Sequence, residues 1–285
     1  MLTKFLQNLK NNGVAGAPTT QKEQVLIVLA MRRSGHHAVI NQLCYQLGHV
    51  VHLNNCIVRG FLRRAYPRSG RFRHYRDGKV YDSGVQSFWQ YRRTIAQCSS
   101  VPNLVYSFED VVPSVDYRPF VDPHKSLVTL CVVRDPFNWL ASSLQRGQQM
   151  TRALKHRIDL WKQQVEQCLT PDRYPFGVFV GVNYNAWVNS QTYRGKLSER
   201  LGLAYSEVGR DEVIDFGVGS SFDGKRFDGQ ASAMPVLERW KAFADDSRYR
   251  ALVQDTQLVE FSERYFDFNP FATRHGAGSS EPNLL

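Results

Sequence analysis

The chain has 285 residues, 42% hydrophobic and 22% charged, which suits a globular protein with a sizeable core and excludes global disorder. A net charge of +10 points to an anionic partner: an acidic small molecule, a membrane surface or nucleic acid. Its five cysteines, Cys44, Cys56, Cys98, Cys131 and Cys168, show no CxxC spacing and read as reduced thiols of a cytoplasmic protein, not as a disulfide frame or zinc site.

Residues 1–23 read as a loose leader without the long apolar stretch of a signal peptide. No apolar run approaches the length of about 18 residues that a membrane span needs. Residues 25–30, "VLIVLA", form a continuous apolar run, as expected for a buried parallel strand. After the loop "MRRSG", residues 36–47 read as a helix with Ala38, Val39, Leu43 and Leu47 on one face. Residues 49–53 suit a short strand. Residues 54–100 read as a basic insertion, partly helical. Between 59 and 93 it carries ten arginines and lysines, against Asp77 and Asp82 alone, with aromatics interleaved.

Two more apolar strands follow at 103–108 and 127–133. A helix should start after "RDP", with Asp135 as cap and Pro136 in its first turn. Residues 151–168 show helical spacing of Leu154, Ile158, Trp161, Val165 and Cys168. A fifth strand at 176–184 precedes a helix over 185–202 that stops at Gly202. A Gly-rich loop (217–229), two helices near 235–245 and 247–265, and a tail at 269–285 complete the chain. Strands alternating with helices predict an α/β domain over 24–268, a central parallel sheet with helices on both faces in three α/β/α layers. Ligands of such sheets sit beyond the strands' C-terminal ends, where strand order reverses.

Two strand-to-helix turns carry arginines to that edge. In "RRSGHH", Gly35 allows a tight turn, and the helix that follows points free N–H groups and its positive dipole end at the loop. That arrangement binds an anion without a metal. Arg33 adds a forked cation, Ser34 a hydroxyl, and His36 and His37 ring N–H donors that should be neutral at a helix start. In "VVRDPFNWLASSLQ", Arg134 ends a strand and Ser142 lies about two helical turns further on, so both can reach one phosphate.

Taken together, "RSGHHAVINQL" resembles the 5′-phosphosulfate loop of sulfotransferases, [KR]-S-G-T-[TS]-x-x. "VVRDPFNWLAS" resembles their 3′-phosphate motif, R-[ND]-P-x-x-x-x-x-S, with arginine and serine in register. The resemblance implies a P-loop-like fold, 3′-phosphoadenosine-5′-phosphosulfate (PAPS) as sulfuryl donor, a hydroxyl or amine acceptor, and no obligatory metal. It also implies that Arg33, Ser34, Gly35, His36 and His37 hold the 5′-phosphosulfate, and that Arg134 and Ser142 hold the 3′-phosphate. His36 and His37 depart from the family's hydroxyl pair; they keep donors but add bulk and a titrating group.

The family often places its base on the strand before the 3′-phosphate strand. That makes Glu109 the first choice, with its carboxyl raised by burial, and His52 the runner-up. The 217–229 loop falls where the family often has a late basic loop, so Lys225 and Arg226 are candidates for the donor.

No motif names the acceptor; the basic insertion suits an acidic carbohydrate, a glycolipid head group or another anion. Arg71, Arg73 and Arg76 are expected to face that acceptor or an anionic membrane, with peripheral rather than spanning contact and no specific nucleic acid. The alternatives are an ATP-dependent small-molecule kinase, which the missing Walker lysine disfavours, and a nucleotide- or nucleic-acid-binding protein without chemistry.

Overall fold

The computed structural model of the chain describes residues 23–59, 64–67, 71–84, 101–120, 126–147, 152–216 and 219–272. A seven-stranded sheet forms its centre. Its strands are β1 (Gln24–Ala30), β2 (Val50–Leu53), β5 (Arg71–Arg76), β6 (Lys79–Gly84), β7 (Asn103–Glu109), β8 (Ser126–Val133) and β9 (Val178–Asn183), in the order β6-β5-β2-β7-β1-β8-β9. The five strands from β2 to β9 in that order pair in parallel. The hairpin β5–β6 extends the edge antiparallel to β2. A separate two-stranded ribbon joins β3 (Cys56–Arg59) to β4 (Arg64–Pro67).

Strand β1 is buried at all seven positions, and its alternate side chains feed two cores. Val25, Ile27 and Leu29 pack on one face with residues of α2 (Pro136–Gln145), α3 (Arg152–Leu169), α6 (Ser247–Val253) and α7 (Thr256–Phe266). Leu26, Val28 and Ala30 pack on the other with α1 (His36–Leu47), α4 (Tyr184–Asn189) and α5 (Gln191–Arg200). This is the expected mostly parallel α/β sheet with helices on both faces. Among the described residues no helix is long and apolar enough to cross a membrane. Cys44, Cys56, Cys131 and Cys168 are free and buried; Cys98 lies outside the described residues.

The described part of the basic insertion is strand and turn, with Phe72, His74 and Tyr75 burying their side chains, which a sheet edge next to β2 allows. Residues 60–63, 68–70 and 85–100 of that segment, on which its expected helical part falls, lie outside the described residues. Three helix expectations are corrected. The helix at 185–202 is two, because Ser190 leaves helical geometry and caps α5 through Tyr193 N. Near 235–245 only a 3₁₀ turn forms, Arg239–Phe243, and the last helix splits at Asp255, which caps α7 through Leu258 N. In each split a polar side chain captures backbone amides that an unbroken helix would need.

Candidate functional site

The C-terminal ends of β1, β7 and β8 lie side by side, with Ala30 opposite both Glu109 and Val132. Strand order reverses around β1, and a cleft opens there. Its lining includes Arg33, Gly35, His36, His37, Glu109 and Arg134 from this edge, Tyr184 from α4, and Phe216, Ser220 and Arg239 from the later chain. Its volume of about 170 Å³ is below the roughly 300–1,000 Å³ of drug-sized ligand sites. It therefore suits an anionic group with the rest of a ligand extending outward.

The β1–α1 loop is built under tension. Arg33 (φ 73°) and Gly35 (φ 84°) both take left-handed backbone conformations. A Cβ on Gly35 would meet the Tyr184 ring at 2.3 Å, so only glycine fits. No side chain among the described residues caps α1, which leaves its first N–H groups for a ligand. Asp110 braces the loop from β7's end. It accepts Arg32 N at 3.0 Å and Arg32 Nε at 2.5 Å, and it also accepts Arg157 Nε at 3.2 Å. The Trp139 indole donates to Arg32 O at 2.9 Å.

Two guanidiniums converge on one hydroxyl. Arg134 Nη1 donates to Ser142 Oγ at 3.1 Å, and Arg239 Nη1 meets the same oxygen at 3.3 Å. Arg134 also bonds Arg33 O and Val236 O, while its Nε is buried with no protein partner among the described residues. Arg239 donates to Ser220 Oγ at 2.8 Å and lies 3.6 Å from Asp223. Burial, then the neighbouring Arg134, pull the Arg239 guanidinium down to about 10. Burial likewise lowers Arg134. Cations held this close in low dielectric call for an anion between them.

The histidines gather on Glu109. His36 Nε2 lies 3.3 Å and His37 Nε2 3.7 Å from Glu109 Oε1. His37 Nε2 also bonds Asn54 Oδ1 at 2.8 Å, and Ser34 Oγ meets His36 Nδ1 at 3.3 Å. Burial and the neighbouring His36 lower His37 to about 3, so it is neutral, as a helix start favours. The expected rise at Glu109 is reversed. Burial alone would push its carboxyl up, but His36, His37 and Arg32 beside it bring it to about 2.

The loop residues Arg33 to His37 thus meet Arg134 and Ser142 at one edge. His52 does not join them. It is fully buried, bonded to Ser107 Oγ at 3.1 Å, and Phe216 packs on it at 5.5 Å between ring centres. Lys225 and Arg226 do not line the cleft. Lys225 pairs with Asp215 at 2.5 Å and Arg226 lies over the Phe227 ring, because the loop turns back on itself through the Ser220–Gly224 bridge. Arg73 faces neither solvent nor membrane: it is buried in a bidentate pair with Asp82, its cross-strand neighbour. Sequence reasoning missed Arg239, Tyr184 and Phe216. Arg239 offered one faint signal, a lone arginine beside Trp240 in an otherwise amphipathic stretch.

No family model and no curated protein sequence matches the chain. Among solved structures, the sulfotransferase domain from the Synechococcus PCC 7002 olefin synthase is similar, with a TM-score of 0.48 and 13% identity over 90% of this chain and 99% of that one. At that level of likeness, the neighbour's activity is a property of the neighbour.

Proposed function

We propose that the chain is a sulfotransferase that moves a sulfuryl group from PAPS to a hydroxyl or amine of an acidic carbohydrate, glycolipid or similar acceptor. The observation that carries this reading is the convergence of Arg134 and Arg239 on Ser142 beside an uncapped helix. Arg134 and Ser142 stand in register with the family's 3′-phosphate motif, and Arg33, Ser34 and Gly35 with its 5′-phosphosulfate loop. The donor fits on physical grounds: Arg134 Nε is a buried donor without a protein partner, and the α1 start has amides to give.

In this reading, Arg33, Ser34, Gly35, His36 and His37 hold the 5′-phosphosulfate, and Arg134 and Ser142 hold the 3′-phosphate. Arg239 adds a second cation at Ser142. PAPS supplies the activated sulfuryl group; its S–O bond to the 5′-phosphate breaks as one to the acceptor forms, and the acceptor loses a proton. The chain's part is to fix donors toward the charge that builds on the leaving phosphate, the largest source of such catalysis. Glu109 reaches the cleft and His52 does not, so Glu109 is the proposed base. The contact with the acceptor belongs to the cleft's outer side, and any anionic-membrane contact is peripheral.

One observation favours a second reading, a nucleotide-binding protein without transfer chemistry. A carboxyl held near 2 is a weak proton acceptor at neutral pH.

The test is thermal unfolding with adenosine 3′,5′-bisphosphate or MgATP, followed by transfer from labelled PAPS to acceptor extracts. Stabilisation by the bisphosphate alone together with label transfer is the expected result. Stabilisation by the bisphosphate without transfer selects the second reading, and stabilisation by MgATP alone rejects PAPS as the donor.

A further inference from the structure

We propose that His36, His37 and Glu109 form a site for one divalent transition-metal ion of the zinc class, open toward the anion cleft. The transfer chemistry proposed above needs no metal, so this site goes beyond it. With an ion bound, Glu109 is a ligand and not the base, and the metal-loaded and metal-free forms are alternative states of one cluster. It arises where the chain departs from the sulfotransferase pattern, with two imidazoles in place of two hydroxyls.

The geometry is that of a three-ligand site. Glu109 Oε1 lies 3.3 Å from His36 Nε2 and 3.7 Å from His37 Nε2, and the three donor atoms are all within 4.8 Å of one another. Metal–ligand bonds of about 2.0–2.2 Å at tetrahedral angles hold ligand atoms roughly 3.3–3.5 Å apart. The two distances to the carboxylate therefore need little change. Adjacent residues in the first turn of α1 supply both rings, and the end of the parallel strand β7 supplies the carboxylate, so the ligands ride on rigid elements. Two imidazoles and one carboxylate are a donor set suited to zinc, cobalt or nickel.

The surroundings support the ligands. Ser34 Oγ, 3.3 Å from His36 Nδ1, can accept a hydrogen bond from Nδ1–H in the tautomer that leaves Nε2 free to bind. His37 Nε2 must give up Asn54 Oδ1 and carry its proton on Nδ1 instead. Asn54 Oδ1 keeps its bond from Ser107 Oγ at 3.3 Å. Arg32, whose charge acts on Glu109, is already paired with Asp110. Three protein ligands leave a fourth position for an exogenous ligand, and Arg33 and Arg134 line the same cleft, so an oxyanion is the ligand that its charge favours.

The test is titration of the chelator-treated full chain with Co²⁺, followed by Zn²⁺. One equivalent should give visible d–d absorption stronger than that of aqueous Co²⁺. Zn²⁺ should bleach it and should raise the unfolding temperature. Glu109→Gln and His37→Asn should bind Co²⁺ at least about 100-fold more weakly, beyond the usual cost of losing an outer-shell partner. His156→Gln, an exposed change on α3, should bind normally. If Glu109→Gln does not fold, the unmodified chain and His37→Asn still decide the matter. Absorption no stronger than free Co²⁺ with no Zn²⁺ stabilisation, or a signal retained by His37→Asn, overturns the site. Binding of adenosine 3′,5′-bisphosphate in the presence of chelator tests the nucleotide reading separately.

Discussion

At the β8–α2 turn, Asp135 accepts the amide of Asn138 at 2.8 Å and its side-chain nitrogen as well. At the β1–α1 turn, Gly35 stands at the same place with φ 84° and no side chain among the described residues caps the helix. Both turns leave a parallel strand at the same sheet edge. The first satisfies its own helix and lends the cleft one strand-end arginine and one serine. The second leaves its helix start without a side-chain cap among the described residues, holds Arg33 in a left-handed conformation and gathers polar side chains. The difference teaches how each turn can serve a ligand: one that completes its own hydrogen bonds offers side chains, and one that does not offers backbone N–H groups as well.

The largest effect is expected from Gly35→Ala. A left-handed conformation costs a non-glycine residue about 1–2 kcal/mol, and displacing Tyr184 adds about 1–3 kcal/mol of overpacking. Denaturant unfolding should show a loss of about 2–5 kcal/mol. A variant as stable as the parent would mean that Tyr184 does not press on the loop.

Next comes Asp135→Ala, which removes the cap of α2 and should cost about 0.5–2 kcal/mol. Asp135→Asn should cost less, since asparagine caps about as well. The comparison sharpens if Asp135→Asn leaves adenosine 3′,5′-bisphosphate affinity within about threefold of the parent, and breaks if affinity collapses while the fold stands.

The two turns also differ in how far the sequence exposes them. Gly35, Arg134 and Asp135 could be placed because each serves a local rule: a left-handed turn, a strand end, an N-cap. Periodicity located β1, β7, β8 and β9 because buried parallel strands are continuous apolar runs. The β5–β6 hairpin escaped because its strand residues alternate with arginines, and Arg73 is buried only by its pair with Asp82 across the ladder. Arg239 and Tyr184 escaped because their roles are set by contacts across the fold, Arg239 with Ser142 97 residues away. Burial of Glu109 was foreseeable, but the sign of its shift was not. That sign depends on two histidines brought to it from another element.

A smaller effect follows from pH. His37 has an ordinary value of 6.5 and is lowered to about 3 in the fold. Protonation therefore favours the unfolded chain, and the stability from neutral His37 is present above about 6.5 and lost as pH falls toward 3. Glu109 falls from 4.5 to about 2, so its contribution is present above 4.5 and lost between 4.5 and 2. Chemical denaturation across pH should show stability declining below about 6.5. In His37→Gln the decline between about 6.5 and 4.5 should be shallower but not absent, because burial also lowers His52 and His74. An unchanged profile in that variant would place the titration elsewhere.

The most direct measurement of the central claim is calorimetric binding of adenosine 3′,5′-bisphosphate and of adenosine 5′-monophosphate to the parent, Arg134→Ala and Ser142→Ala. If the β8–α2 turn holds the 3′-phosphate, the bisphosphate should lose about 10- to 100-fold in affinity with Arg134→Ala, corresponding to roughly 1.5–3 kcal/mol for hydrogen bonds to a charged group. Ser142→Ala should lose less, and the monophosphate should change by less than about threefold with either. Equal losses for both nucleotides, or no loss for the bisphosphate, would contradict the division of one anionic ligand between the two turns.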